Sequence, residues 1–196
     1  RGLDVDAVAA LFSGARFAPP PLTDAERGRL AAASLDGAPP HIAGDYPEWL
    51  DAALAAVFGD DRVAEATAMA SRAPLDLRVN TLKAKREKVL ASLSHLGATP
   101  TPWSPIGLRI ELGADARNPG VHAEEDFIKG AVEVQDEGSQ LAALLSAAKP
   151  GEQVIDLCAG AGGKTLALAA MMQGKGRLIA TDHDKRQLAP IYERLS

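Results

Sequence analysis

Hydrophobic and polar positions follow two different periods along this chain, and the changes of period divide it. From Leu75 to Asn80 apolar and polar residues alternate one by one, as in a half-buried strand, and Ile106 to Leu112 repeats the pattern. Between them Val89, Leu90, Leu93 and Leu96 fall on one face of a helix from Lys85 to Leu96, with Gly97 as its stop. Upstream, one helix begins near Pro47, a good first-turn residue, and runs through Leu50, Leu54 and Val57 to Gly59. A second runs from Arg62 to Arg72 and stops before Pro74. Helices followed by strand, helix and strand predict a small α+β domain of RRM-like or ferredoxin-like kind over residues 41–130. Residues 1–40 read as short helices joined by proline-rich linkers. Pro19-Pro20-Pro21 is a stiff break, and Thr23 with Glu26 forms a capping box that opens a helix to about Leu35.

A different order of elements occupies residues 131–196. Val132 to Val134 reads as a short strand leading into a new unit, and Glu137 to Ala148 as a helix with Leu141, Leu144 and Leu145 on its inner face. After the turn at Pro150-Gly151 come a strand (Gln153 to Cys158), a helix (Gly163 to Met172) and a second strand (Arg177 to Thr181). Another helix starts at Asp184, with Pro190 inside its pattern. Strand, helix, strand without a hairpin turn is a βαβ unit, hence parallel strands and the first part of a Rossmann-like, doubly wound α/β sheet.

The chemistry of this second region lies in the turn after its first strand. Asp156-Leu157-Cys158-Ala159-Gly160-Ala161-Gly162-Gly163-Lys164-Thr165 joins an apolar strand to a helix N-terminus through three glycines. Glycines admit a ligand that a side chain would block, and the helix dipole favours it. Asp182 ends the next strand, where a carboxylate can accept hydrogen bonds from ribose hydroxyls. Three cofactor readings compete. A Walker-type phosphate loop needs a glycine where Cys158 stands, and a dinucleotide fingerprint needs one where Thr165 stands. The methyltransferase pattern is met by Asp156, Gly160 and Gly162, with Cys158 in its first glycine place. A glycine-rich turn without a ligand is the plain alternative, and Asp182 weighs against it.

Composition narrows the classes further. No run of about 18 apolar residues occurs, and no signal peptide is visible. A single cysteine excludes an internal disulfide and fits a reducing compartment, so a cytoplasmic location is expected. The net charge of −5 speaks mildly against a nucleic-acid partner, but Arg78, Lys83, Lys85, Arg86 and Lys88 stand together against Glu87 alone. That run is either a solvated helix face or an RNA contact, and Arg78, Lys83, Lys85 and Arg86 are the candidate phosphate ligands. Trp49, Trp103, Tyr46 and Phe127 read as core or hairpin residues. The four histidines have no metal spacing, and the acids of Asp182-His183-Asp184 serve ribose binding and helix capping more simply than a metal. Asp136, Glu137 and Ser139 read as a helix opening by N-capping. Cys158 reads as a small buried residue at a strand end.

Four stretches, in order, carry a resemblance. "DLCAGAGGKT" is similar to motif I of the RsmB/NOP/Sun family of RNA cytosine-5 methyltransferases. "VQDEGSQLAA" (Val134 to Ala143) resembles the segment leading into that family's catalytic domain. "LRVNTLKAKREKVLASL" (Leu77 to Leu93) and "YPEWL" (Tyr46 to Leu50) resemble its N-terminal RNA-binding domain. The usual family turn reads Cys-Ala-Ala-Pro-Gly-Gly-Lys, and Gly160-Ala161 replaces Ala-Pro here. The resemblance implies S-adenosylmethionine as cofactor, held by Cys158, Ala159, Gly160, Ala161, Gly162, Gly163, Lys164 and Asp182. It implies RNA as partner, 16S ribosomal RNA first, with no membrane or metal. In that family two cysteines of later motifs serve the reaction, one attacking C6 of cytosine and one assisting product release. Arg1 in place of Met and the lone Cys158 lead us to expect an N-terminal piece that lacks catalytic residues, is inactive alone and awaits a C-terminal half. A tRNA methyltransferase of the same family, a non-catalytic RNA-binding fragment and a small-molecule methyltransferase remain alternatives. A basic RRM-like domain has no use in the last.

Overall fold

The computed structural model describes residues 3–113 and 116–195, so Arg1 and Ser196, at the ends of the expected segments, lie outside the described residues. The chain forms two compact units that meet at Arg72 and Ala73.

The first unit is helical. α1 (Val5–Leu11) is capped by Asp4, whose carboxylate accepts from the Ala7 N–H. α2 (Asp24–Ala32) carries the expected capping box of Thr23 and Glu26. It ends three residues short of Leu35, because Ala33 turns extended. α3 (Pro40–Ala43) follows, and a 3-10 turn at Glu48–Leu50 runs into α4 (Asp51–Phe58). Gly59, at φ 57°, stops α4 before α5 (Arg62–Ala70). Tyr46 and Arg62 both donate to Asp51 Oδ1, at 2.7 and 3.1 Å, and tie the unit together. Ala66 is its sole buried hydrophobic residue among the described residues.

The second unit opens with the small α+β domain. β1 (Leu75–Val79), α6 (Arg86–Ser92), β2 (Thr99–Pro100), β3 (Gly107–Ile110), α7 (Glu125–Ile128) and β4 (Val132–Val134) follow in order. The sheet order is β2-β3-β1-β4, and each neighbouring pair is antiparallel. That is the split βαβ, ferredoxin-like arrangement. Leu77 and Val79 of β1 meet Val89 and Leu93 of α6 in a core with Leu108, Ile110, Val121 and Val132. Gly97, at φ 73°, closes the helical stretch as expected. β4 differs from its expected place. It pairs with β1, Val79 opposite Val132, and completes this sheet rather than starting a new unit. Three residues carry too little pattern to show which sheet they join.

α8 (Glu137–Leu145) then leads into β5 (Gln153–Asp156), α9 (Gly163–Met171) and β6 (Arg177–Ala180). β5 and β6 are parallel, with Val154 opposite Leu178 and Ile155 opposite Ile179. Val154 and Leu178 pack against a second core of Ala148, Leu168 and Met172, whereas Ile155 is exposed. Asp184 caps α10 (Lys185–Leu188), and Pro190 separates it from α11 (Ile191–Arg194), so the helix expected from Asp184 is two short ones.

α8 buries the leucine face that its periodicity suggested only in part, with Leu141 and Leu144 half-buried. Leu145 is 83% exposed, while Glu137, Gln140 and Ala143 are buried. The reason is its position. α8 packs on both β1 and α9, and its N-terminal turn meets the polar side of the antiparallel sheet. Among the described residues no helix is long and apolar enough to cross a membrane.

Candidate functional site

The glycine turn lies between the C-terminal end of β5 and the start of α9. Asp156 ends β5, and its Oδ2 accepts from Thr165 Oγ1 at 2.7 Å, linking the strand to the first turn of the helix. The Ala159 N–H donates to the Thr181 carbonyl beyond β6, and the Gly162 N–H donates to the Ala159 carbonyl. Gly160 and Gly162 have φ of 50° and 86°. A Cβ on Gly162 would stand 2.4 Å from Ile191, so this position admits glycine alone, by conformation and by space. Gly163 opens α9, where the first N–H groups have no intrahelical partner and face outward as donors.

Asp182 follows β6 and reaches back to the turn. Its Oδ2 accepts from the Gly160 N–H at 3.0 Å and its Oδ1 from the Asp184 N–H at 3.1 Å. Those two N–H groups, Asp184 first and then Gly160, hold the carboxyl below the usual carboxylate range. An ionised carboxylate keeps further lone pairs after accepting both, so it can still receive hydroxyl donors. The turn and Asp182 are therefore one assembly rather than two separate candidates. Lys164 is exposed on the first turn of α9. Cys158 is also exposed, not the buried residue expected, because it follows β5 at the edge of a two-stranded sheet.

His183 is 96% exposed beside Asp182, and Asp184 is the cap of α10 and the partner of Arg186. Among the described residues no three His, Cys, Asp or Glu side chains gather as metal ligands. An apolar groove of about 390 Å³ beside α9 and β6 is lined by Met172, Leu178, Ile191 and Tyr192, and includes none of the turn residues 158–164.

Arg78 requires the main correction. It was expected to meet RNA phosphate, but it is 1% exposed. Its Nε donates to Gln135 Oε1 at 2.6 Å and its Nη2 to the Gly163 carbonyl at 3.5 Å. A strand read as solvent-facing on its polar side is buried on both sides, by α6 on one and α8 on the other. The other three basic candidates stay at the surface. Lys83 and Lys85 are exposed and Arg86 is half-buried. Lys83 Nζ also donates to the Lys129 carbonyl at 3.1 Å. Lys83 and Lys85 share a shallow hollow with Lys88, a residue the sequence reading left out of its candidates. Trp49 and Trp103 are 77% and 73% exposed, so neither is a core residue, while Phe127 packs against the first core.

A polar knot on that same side of the sheet escaped the sequence reading. Asp76 takes Arg109 in a two-pronged pair, Nε at 2.7 Å and Nη2 at 2.8 Å, and accepts the Glu137 N–H at 3.0 Å. Glu137 accepts the backbone N–H groups of Trp103 and Ser104, each at 2.8 Å. Burial pushes its carboxyl up, but those two N–H groups, Thr101 and Arg109 together hold it below the usual range. Asp136, not Glu137, is the N-cap. The only sequence signal for this knot was the polar half of the β1 alternation, Asp76 and Arg78.

Two family models match the chain in separate stretches. Residues 46–117 match the family model described as the ferredoxin-like domain of the RsmF/B-like methyltransferases. Residues 143–196 match the model described as 16S rRNA methyltransferase RsmB/F. The chain is 34% identical over 153 residues to the ribosomal RNA small subunit methyltransferase B of Pseudomonas putida, covering 76% of this chain and 34% of that one. It is 35% identical over 158 residues to the probable counterpart from Synechocystis, again covering 76% of this chain and 34% of that one. It thus spans about a third of the length of the curated relatives it matches. The crystal structure of a methyltransferase homologue from Pyrococcus horikoshii superposes with a TM-score of 0.70 at 25% identity, over 83% of this chain and 53% of that one.

Proposed function

We propose, from the premise that this chain belongs to the RsmB/F methyltransferase family, that it serves S-adenosylmethionine-dependent cytosine-5 methylation of 16S ribosomal RNA. The observation that carries the reading is the assembly of glycine turn and Asp182 between two parallel strands, directly after a ferredoxin-like sheet. The residues fit the cofactor. Gly160 and Gly162 keep the turn free of side chains, α9 offers free N–H donors, and Asp182 presents an ionised acceptor where a ribose would lie. The bound cofactor would supply an electrophilic methyl group. The chain's own part is to hold it through residues 158–164 and Asp182, and to present RNA through the basic hollow of Lys83, Lys85 and Lys88, beside Arg86.

Thiol chemistry is not assigned to Cys158. It is the one cysteine in the sequence and belongs to the cofactor turn. Methyl transfer by the 196 residues alone is therefore not expected. The test is calorimetric titration with S-adenosylmethionine. Asp182→Ala removes both the ribose acceptor and the tether on Gly160, and should weaken binding by about ten- to a hundredfold. Unchanged affinity would refute the assignment of the site.

A further inference from the structure

We propose that Arg78, with Gln135, is a positioning residue of the cofactor turn, through which the ferredoxin-like sheet sets the turn's shape; this rests on the turn being the cofactor site. Arg78 lies on β1 and its cross-strand partner on β4 is Glu133. The two members of this pair reach the turn by different routes. Arg78 donates directly to the Gly163 carbonyl and to Gln135 Oε1. Glu133 pairs with Arg194, whose other nitrogen donates to the Ala161 carbonyl. Alternate carbonyls of the turn, Ala161 and Gly163, are thus each held by a guanidinium, that of Arg78 borne by β1 and that of Arg194 borne by α11 and anchored on β4 through Glu133. Gln135 closes the seat, because a Cβ on Gly163 would stand 3.3 Å from its Nε2.

A purely structural residue at this place would not need to be an arginine. Arg78 is 1% exposed, and it forms no ion pair among the described residues because the Glu133 carboxylate is given to Arg194. Its Nη1, like Gln135 Nε2, has no partner at all. Burying a guanidinium without a contacting carboxylate is unfavourable, even with the Glu133 charge nearby, and a methionine of similar length would pack there without that penalty. What arginine adds is a fork of donors aimed at a carbonyl of the turn. The Gly163 carbonyl is fixed from outside, so the N–H on the other side of the same peptide, that of Lys164, is fixed as well, while the Ala161 peptide is held at both ends, by Arg194 at its carbonyl and by the Ala159 carbonyl at the Gly162 N–H. The Lys164 N–H is what a ligand at the start of α9 would meet.

The experiment compares the unaltered protein with Arg78→Met and Arg194→Met. Amide hydrogen exchange is measured over residues 159–166 without ligand, and S-adenosylmethionine affinity by calorimetry. In Arg78→Met, exchange across the turn should rise about tenfold while the amides of β1 and β3 keep their protection, and cofactor affinity should fall about tenfold. Arg194→Met should loosen the same turn. Should Arg78→Met fail to fold, Gln135→Met, which keeps the guanidinium but removes its acceptor, carries the same expectation. Unchanged exchange at the turn in a folded variant would overturn the proposal, as would protection lost evenly over the whole sheet. If the unaltered protein binds no cofactor, the functional reading fails by itself, and the exchange measurement still decides the role of Arg78.

Discussion

Replacing Asp76 by alanine tests whether the polar knot between the antiparallel sheet and α8 holds the second unit together. Asp76 is 4% exposed and accepts three hydrogen bonds, two from Arg109 and one from the Glu137 N–H. Its removal strands a guanidinium and a backbone donor. Breaking a fully buried ion pair costs about 3–5 kcal/mol, and an unsatisfied N–H about 1–3 kcal/mol. The Arg109 side chain keeps 23% of its surface and can turn partly to water, which discounts the first figure. The two losses also share one carboxylate and do not add fully. We expect about 3 kcal/mol, with Asp76→Asn about half of that because one acceptor remains. Urea unfolding followed by circular dichroism reads this loss. The cycle with Arg109→Met isolates the pair, and a coupling of about 1 kcal/mol or more is expected. A loss below about 0.5 kcal/mol, or strict additivity with Arg109→Met, would refute the knot as a source of stability.

Glu137 should make the second unit acid-sensitive: its folded pKa lies below its unfolded value, so its contribution is full above the unfolded value and is lost as pH falls through the lowered one. Glu137→Gln should flatten stability against pH below the ordinary glutamate range, and an unchanged profile by circular dichroism would contradict this. Gly162→Ala should destabilise by about 2 kcal/mol or more through its φ of 86° and the clash with Ile191, and a neutral result in thermal unfolding would show that the turn can rearrange. Alanine at Lys83, Lys85 and Lys88 together should lower the salt slope of RNA affinity by about 2, and an unchanged slope in filter binding would leave them a solvated face.

The parts of the fold that were legible in the sequence are those governed by local rules. The capping box at Thr23 and Glu26 and the stop at Gly97 follow from backbone chemistry within a few residues. The glycine turn was legible for the same reason, since its positive φ angles demand glycine wherever the chain goes next. What failed was set by distant partners. The alternation of β1 marks one apolar face correctly, but it cannot show that a helix some sixty residues later buries the polar face as well, and so Arg78 was taken for a surface cation. Leu145 of α8 misled for the converse reason, since hydrophobicity suggests inwardness while the fully buried side chains of this helix include Glu137 and Gln140. Cys158 was read as buried on its chemistry, although its exposure depends on which strands stand beside β5.

The seating of α8 has a practical consequence for recombination between relatives. A chimaera that exchanges the antiparallel sheet would ordinarily be cut in the loop before Val132, where the sequence suggests a new module. That cut separates β4 from β1, and Asp76 from the Glu137 N–H it accepts. A junction near Lys149-Pro150, beyond α8, transfers the sheet together with the helix that completes its polar side. The contacts a foreign partner must then reproduce are those of α8 with α9, of the Gly163 carbonyl with Arg78, and of Arg194 with Glu133. Exchangeable modules in this chain are therefore bounded by who satisfies whose hydrogen bonds, and the seam lies more than a dozen residues downstream of where the pattern of strands would place it.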